Sequence, residues 1–234
     1  MTDNDRGAGS DFKFSQWEVA GKYAKKQDID VKREENSITV TYTFRLALSS
    51  DVKCSVSYTI DANGKIIVCA KYPGTNGLAP LPEFGLEFAL PKAINQFAWY
   101  GLGPDESYLD RTAGACLGLF ESNAEKNKAP YLMPQETGNH MGTRNLRIYS
   151  EQGSGILLKA IDKPFEFSVL PVNTMELDAA KHHYELPQTH FTWVKILAAQ
   201  MGVGGDDSWG APVHDEFLLP SENEYEVKFS IEAL

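Results

Sequence analysis

The densest run of chemistry-bearing residue types in this 234-residue sequence is Met201–Gly210, MGVGGDDSWG. Two adjacent carboxylates, Asp206 and Asp207, precede Ser208 and a single large aromatic, Trp209, and Gly202, Gly204 and Gly205 lead into them. An indole on such a loop is a flat apolar plate with one N–H donor, suited to the apolar face of a sugar ring. The aspartates fit glycoside hydrolysis less well. Retaining glycosidases set two carboxyls about 5 Å apart beside a bound ring, whereas neighbouring residues on an extended chain point to opposite sides. Their residue type favours holding the loop, with one aspartate accepting backbone N–H bonds.

Two further segments mix aromatic, glycine and charged residues: Tyr100–Arg111, YGLGPDESYLDR, and Tyr131–Arg144, YLMPQETGNHMGTR. Both are expected to be long structured loops, held by ion pairs of Glu106 or Asp110 with Arg111 or Arg144. Within them Tyr108, Glu136 and His140 stand as candidate pocket-rim or loop-support residues. Of five histidines only His182 and His183 are close in sequence, and an adjacent pair cannot face one site from a strand. No His-x-His or His-x-x-x-His spacing occurs, so no metal site is expected. Asp3–Gly7, DNDRG, is like the start of a calcium loop, but Phe14 stands where the twelfth-position glutamate belongs. Nucleophile-elbow, phosphate-loop and dinucleotide motifs are absent.

Strands dominate the elements that must carry these residues. Ser37–Leu46 alternates, with Ile38, Val40, Tyr42, Phe44 and Leu46 on one face. Lys53–Ile60 repeats the pattern with Cys54, Val56, Tyr58 and Ile60 inward, and Asp61–Gly64 turns it into a returning strand at Lys65–Tyr72. Further strands are expected at Leu86–Leu90, Arg144–Ser150, Gly155–Ile161, Phe165–Leu170, Phe191–Ala199 and Glu224–Ile231. Glu151–Ser154 has the composition of a hairpin turn. The best helix is Asn173–Lys181, where Asn173 and Glu176 have capping-box spacing. The expectation is an all-β fold of packed antiparallel sheets with at most one or two short helices, in one domain over residues 1–234.

Bulk composition narrows the function classes. The formal net charge of −10 repels phosphate backbones, and no Lys/Arg run overrides it, which argues against nucleic acid. Nor does any apolar run approach the roughly 18 residues needed to span a bilayer, so a membrane role is not expected. The three cysteines are an odd count without Cys-x-x-Cys spacing, against a disulfide framework, and Cys54 and Cys69 read as small buried hydrophobes. With no signal-peptide pattern and no Asn-x-Ser/Thr site, the reduced cytoplasm is the expected compartment.

Six segments in order carry a likeness: TDNDRG at Thr2–Gly7, the Trp17…Ala20-Gly21-Lys22-Tyr23 spacing, LPEFGLEF at Leu81–Phe88, YGLGPDESYLDR, PQETG with Thr143-Arg144, and GVGGDDSWG. Together they resemble the C-terminal domain of the β-galactosidases of glycoside hydrolase family two, most closely the small subunit of the two-chain bacterial enzymes. The resemblance implies a large antiparallel supersandwich of the galactose mutarotase kind. It also implies that the catalytic glutamates, with magnesium and sodium, lie on a (β/α)₈ barrel in a catalytic large chain or barrel domain. This sequence has no repeating β-α pattern, so no catalytic residue and no cofactor are expected within it. What carries over is Trp209, as part of the wall that binds the galactoside.

Three departures accompany the likeness: Glu83 where relatives often carry Arg, Ser107 for a common Asn, and TDNDRG opening the chain where a strand segment normally precedes it. The last implies truncation at the N-terminus. Two other readings stand beside the first. One is a non-catalytic carbohydrate-binding module. The other is a mutarotase-type epimerase using His140, His182 or His183 with Glu136.

Overall fold

Alternation in the sequence becomes a meander in the structure, a computed structural model that describes residues 2–234. β1 (Lys25–Arg33), β2 (Ser37–Arg45), β3 (Lys53–Asp61) and β4 (Ile66–Tyr72) pair antiparallel in sequence order. Asp61 shapes the β3–β4 turn by accepting from the N–H groups of Asn63 (2.8 Å) and Lys65 (3.1 Å), and Gly64 takes a φ of +80°. The remaining strands are β5 (Glu83–Pro91), β6 (Gln96–Gly103), β7 (Cys116–Asn123), β8 (His140–Thr143), β9 (Asn145–Tyr149), β10 (Gly155–Ala160), β11 (Phe165–Leu170), β12 (Phe191–Gln200) and β13 (Tyr225–Ala233). They complete a nine-stranded sheet, β1-β2-β3-β4-β13-β10-β9-β6-β7, and a four-stranded sheet, β5-β12-β11-β8.

The two sheets share one core. Val68, Phe97, Trp99, Ile148, Leu158 and Phe229 of the large sheet meet Phe165, Phe167, Val169, Val194 and Ile196 of the small one, all of them buried. Removing these side chains from water is the main source of stability, at roughly 1.5–3 kcal/mol for each large one. A second buried cluster, around Phe14, Tyr72, Leu81 and Leu219, fastens the N-terminal helical segment to the sandwich.

Four strands, β1, β6, β7 and β8, lie outside the expected set. β1, KKQDIDVKR, is exposed along its whole length and reads as polar, in keeping with an edge strand blunted by charge. β6 and β7 are interrupted by Gly101, Gly103 and Gly118, where a Cβ would run into Thr143 Oγ1 (2.6 Å) or the Phe120 ring (2.7 and 2.8 Å). These glycines admit close neighbours rather than ending the strands. The expected loop Tyr100–Arg111 therefore begins inside β6, and the expected loop Tyr131–Arg144 contains β8.

Helices also number more than expected: α1 (Asp3–Gly7), α2 (Ser10–Glu18) and α3 (Thr174–Ala179). α3 starts at Asn173 with the reciprocal Asn173–Glu176 box that its spacing predicts. α1 forms because Thr2 and Asp5 make a second such box, so DNDRG is a capped helical turn. α2 is anchored by Phe14 and Trp17 alone and has no continuous apolar stripe to read. Cys69 is half-buried, on the face of β4 opposite the core, and all three cysteines are free thiols.

Candidate functional site

The Trp209 loop is built by residues from three distant motifs. Asp207 accepts from the N–H of Trp209 (2.8 Å) and of Ala211 (3.1 Å), and these bonds hold its carboxyl below the usual carboxylate range. Asp206 pairs with the His214 imidazole, which raises the histidine pKa. Upstream, Asp110 accepts from the N–H groups of Val203 (3.0 Å) and Gly204 (2.7 Å), and Asn4 donates to Ala211 O (2.8 Å). The loop end lies on α1, so that a Cβ at Gly210 would sit 2.5 Å from the Gly7 carbonyl carbon. On this base the Trp209 side chain stands 89% exposed. Ser208 is exposed beside it.

Gly210 has a φ of +85° as well as that close neighbour. Gly210→Ala is expected to cost about 1–3 kcal/mol locally and to lift the loop off α1. Limited proteolysis would detect this as faster cleavage within residues 203–212, with the far-UV spectrum unchanged.

The other candidates lie deeper. Glu106 organises both expected loops by accepting from Arg111 Nη1 (2.8 Å), Thr137 Oγ1 (3.0 Å), the Gly138 N–H (2.7 Å) and the Tyr131 hydroxyl. Asp110 instead reaches the Trp209 loop, and Arg144 donates to Gly142 O (2.8 Å). Tyr108 and His140 are each 1% exposed and offer no surface to a solute. His140 lies 4.3 Å from the Trp99 ring and 5.1 Å from Phe167. Its Nε2–H donates to Asn127 Oδ1 (2.8 Å), because the Asn127 amide nitrogen is already spent on Gly138 O and Val169 O. His182 pairs with Glu185 of its own turn at 3.0 Å.

Glu136 belongs to a buried charge cluster that spacing could not reveal. The Lys195 ammonium, 3% exposed, lies 2.8 Å from Glu83 and 3.1 Å from Glu136. Burial opposes both charges, but Glu136 and Glu83 together hold the lysine protonated, and Lys195 with Gln200 keeps Glu136 below its ordinary value. On the neighbouring β11, Glu166 is pushed up to about 7 by burial, with the Asn139 amide donating to it at 2.8 Å. His140 is pushed down to about 4, also by burial.

These two shifts act on opposite limbs of a stability profile. A carboxyl raised on folding contributes fully below its unfolded pKa and loses that contribution as pH rises through about 7; a depressed histidine loses its own as pH falls from about 6.5 toward 4. Glu166→Gln keeps the bond from Asn139 and is expected to raise stability at pH 8 by on the order of 2–3 kcal/mol and to flatten the alkaline limb. Urea unfolding at pH 5, 6.5 and 8 would measure it.

An apolar groove of about 1570 Å³ runs beside the small sheet, walled by Tyr42, Phe44, Val56 and Tyr58 on one side and by Phe84 and Leu86 on the other. Glu83, Glu87 and Lys195 also line it. Among the described residues no three His, Cys, Asp or Glu side chains gather as a metal-binding group. No described helix is long and apolar enough to cross a membrane.

Two packed antiparallel sheets bearing a braced aromatic loop place the chain among the all-β sandwich proteins, and sequence comparison gives its family. The family model "Beta galactosidase small chain" matches residues 1–231, and this chain belongs to that family. It is 50% identical over 233 residues to the β-galactosidase of Streptococcus thermophilus, covering 100% of this chain and 23% of that protein. The β-galactosidase small subunit of Latilactobacillus sakei is 35% identical over 260 residues, with 98% of this chain and 81% of that subunit covered. This chain thus spans about a quarter of the long relatives and most of the small subunit. Among solved structures, a galactose mutarotase related enzyme of Lactobacillus acidophilus aligns over 89% of this chain and 71% of that one, at 12% identity and a TM-score of 0.43. That likeness is partial, and the fold rests on the sheets themselves.

Proposed function

We propose that this chain is the part of a β-galactosidase that lies outside the catalytic barrel, and that it completes the galactoside pocket with Trp209. The observation that carries the reading is the exposure of that indole, 89%, on a loop tied to α1, Asp110 and its own Asp207. A large apolar ring held into solvent on a braced loop is free to meet a sugar, and membership of the β-galactosidase small-chain family supports that reading. In this reading the bond-breaking glutamates, with magnesium and sodium, belong to the barrel. Asp206, Asp207 and Ser208 shape the loop, while Glu136, His140 and Tyr108 support the segments behind it. Terminal β-galactosides such as lactose are the proposed substrates, and the free thiols fit a cytoplasmic setting.

The assembled enzyme provides the test. Galactose is expected to change the Trp209 emission, read as the difference between wild type and Trp209→Phe. An identical response in the two would remove the indole from the sugar site. A full response in the isolated chain would favour a free-standing carbohydrate-binding module instead.

A further inference from the structure

The motif Tyr100–Arg111 has no part in the proposed chemistry, yet its end reaches the Trp209 loop. At 89% exposed, the indole has little packing of its own, so the loop must fix where the ring stands. Two kinds of side-chain bond hold that loop. Those from Asp207 to the N–H groups of Trp209 and Ala211, and from Asp206 to His214, close within residues 206–214. They set the shape of the loop and travel with it. Its position relative to the sandwich has to come from other elements, and the side chains that reach it from there are Asp110 and Asn4.

Asp110 grips the upstream stem. It accepts from two successive N–H groups, those of Val203 (3.0 Å) and Gly204 (2.7 Å), and bonds to a carboxylate are roughly twice as strong as neutral ones. The carboxylate sits so close to the chain that a Cβ at Gly202 would lie 2.5 Å from its Oδ2. The aspartate is itself held. Tyr108 and Arg111 bond backbone to backbone in both directions, at 3.2 and 2.8 Å, which closes a four-residue turn with Asp110 inside it. Tyr108 anchors that turn in the core, and Glu106 fixes Arg111 at its other end. Asn4 bridges the two stems from α1. It donates to Ala211 O (2.8 Å), and its amide nitrogen lies 2.2 Å from where a Cβ of Gly204 would fall.

From this we infer that Asp110 and Asn4 are positioning residues for the sugar: they set the height and tilt of the Trp209 plate, and through it the KM for the galactoside. A gap of about 0.5–1 Å already forfeits a quarter to a half of a dispersion contact, so a small slackening of the stems is felt at the ring face.

The inference rests on the proposed function and fails separately from it. The test is a double-mutant cycle in the assembled enzyme. Asp110→Asn keeps the size of the side chain but sets an amide NH₂ against a backbone N–H. It is expected to raise KM for an aryl galactoside about threefold, with kcat for hydrolysis within about twofold of wild type. In a Trp209→Ala background the same substitution should leave KM unchanged, because its effect passes through the ring. Asn4→Ala should show the same pattern, and each residue stands or falls by its own cycle. Hydrogen exchange in the full chain is expected to speed about tenfold at residues 203–211, with the strands unaffected. A KM that rises in Trp209→Ala but not in Asp110→Asn overturns the inference for Asp110 and leaves the proposed function standing. An Asp110→Asn effect that persists in full without the indole does the same, as does lost protection throughout β5 and β12, which would mark a role in the fold instead. A KM unmoved by Trp209→Ala overturns both.

Discussion

Lys195→Met is expected to destabilise the fold by about 3 kcal/mol, because it leaves the buried Glu136 carboxylate, and the half-buried Glu83 beside it, without their cation. Glu136 and Glu83 both reach the Lys195 ammonium, at 3.1 and 2.8 Å. In a chain of this length such a loss lowers Tm by on the order of 10 °C. The cost lies in stranding the carboxylates rather than in the value of the ion pair itself. Adding Glu83→Gln and Glu136→Gln to Lys195→Met should therefore recover most of the loss. Urea midpoints of the single and triple variants measure both halves. A single variant within about 0.5 kcal/mol of wild type would show that water reaches the cluster and screens it.

Trp209→Ala is expected to act on sugar binding and not on folding. The ring is 89% exposed, so its removal forfeits little buried area. Within the assembled enzyme a stacked indole contributes about 1 kcal/mol or somewhat more, so KM should rise about five- to tenfold. In the proposed role the plate serves departing and accepting sugars alike, so transfer to an acceptor sugar is expected to fall relative to hydrolysis. Steady-state kinetics on an aryl galactoside, with and without added acceptor, reads out both effects. An unaltered KM together with unaltered partitioning would place the indole outside the site.

How much of this was legible in the sequence depended on which force set each element. The expected strands at β2, β3, β10 and β11 match the observed ones to within two residues at each end: β2 and β3 alternate in residue type, and β11 is a short run buried on both faces. The Asn173 cap and the Asp61–Gly64 turn were equally plain, since local hydrogen bonds fix them. β1 was hidden because it is stabilised by pairing with β2 while its own side chains stay wet. β6 and β7 were hidden because their glycines serve close packing against Thr143 and Phe120, a tertiary requirement. The inward assignment of Tyr58 and Ile60 held for the face but not for burial, at 37% and 46% exposed, since the covering layer ends at β5.

Around the candidate site the same division holds. Asp207 was foreseeable as a loop-holding residue because its partners are two and four residues away. Asp110 and Asn4 were not, because they reach the loop across 93 and 207 residues of chain. Their signal was present only as separate motifs, YGLGPDESYLDR and TDNDRG, which the fold gathers around GVGGDDSWG. Lys195 carried no signal at all: in FTWVKILAAQ it looks like a lone surface lysine, yet it sits beneath two glutamates from other elements.

The most direct test is the turnover of an aryl β-galactoside by the purified chain, by the catalytic remainder of a long relative, and by their mixture. The expected result is no turnover from the chain alone and a large gain on mixing. Robust turnover by the purified chain would contradict it, since bond cleavage would then have to come from groups within these 234 residues.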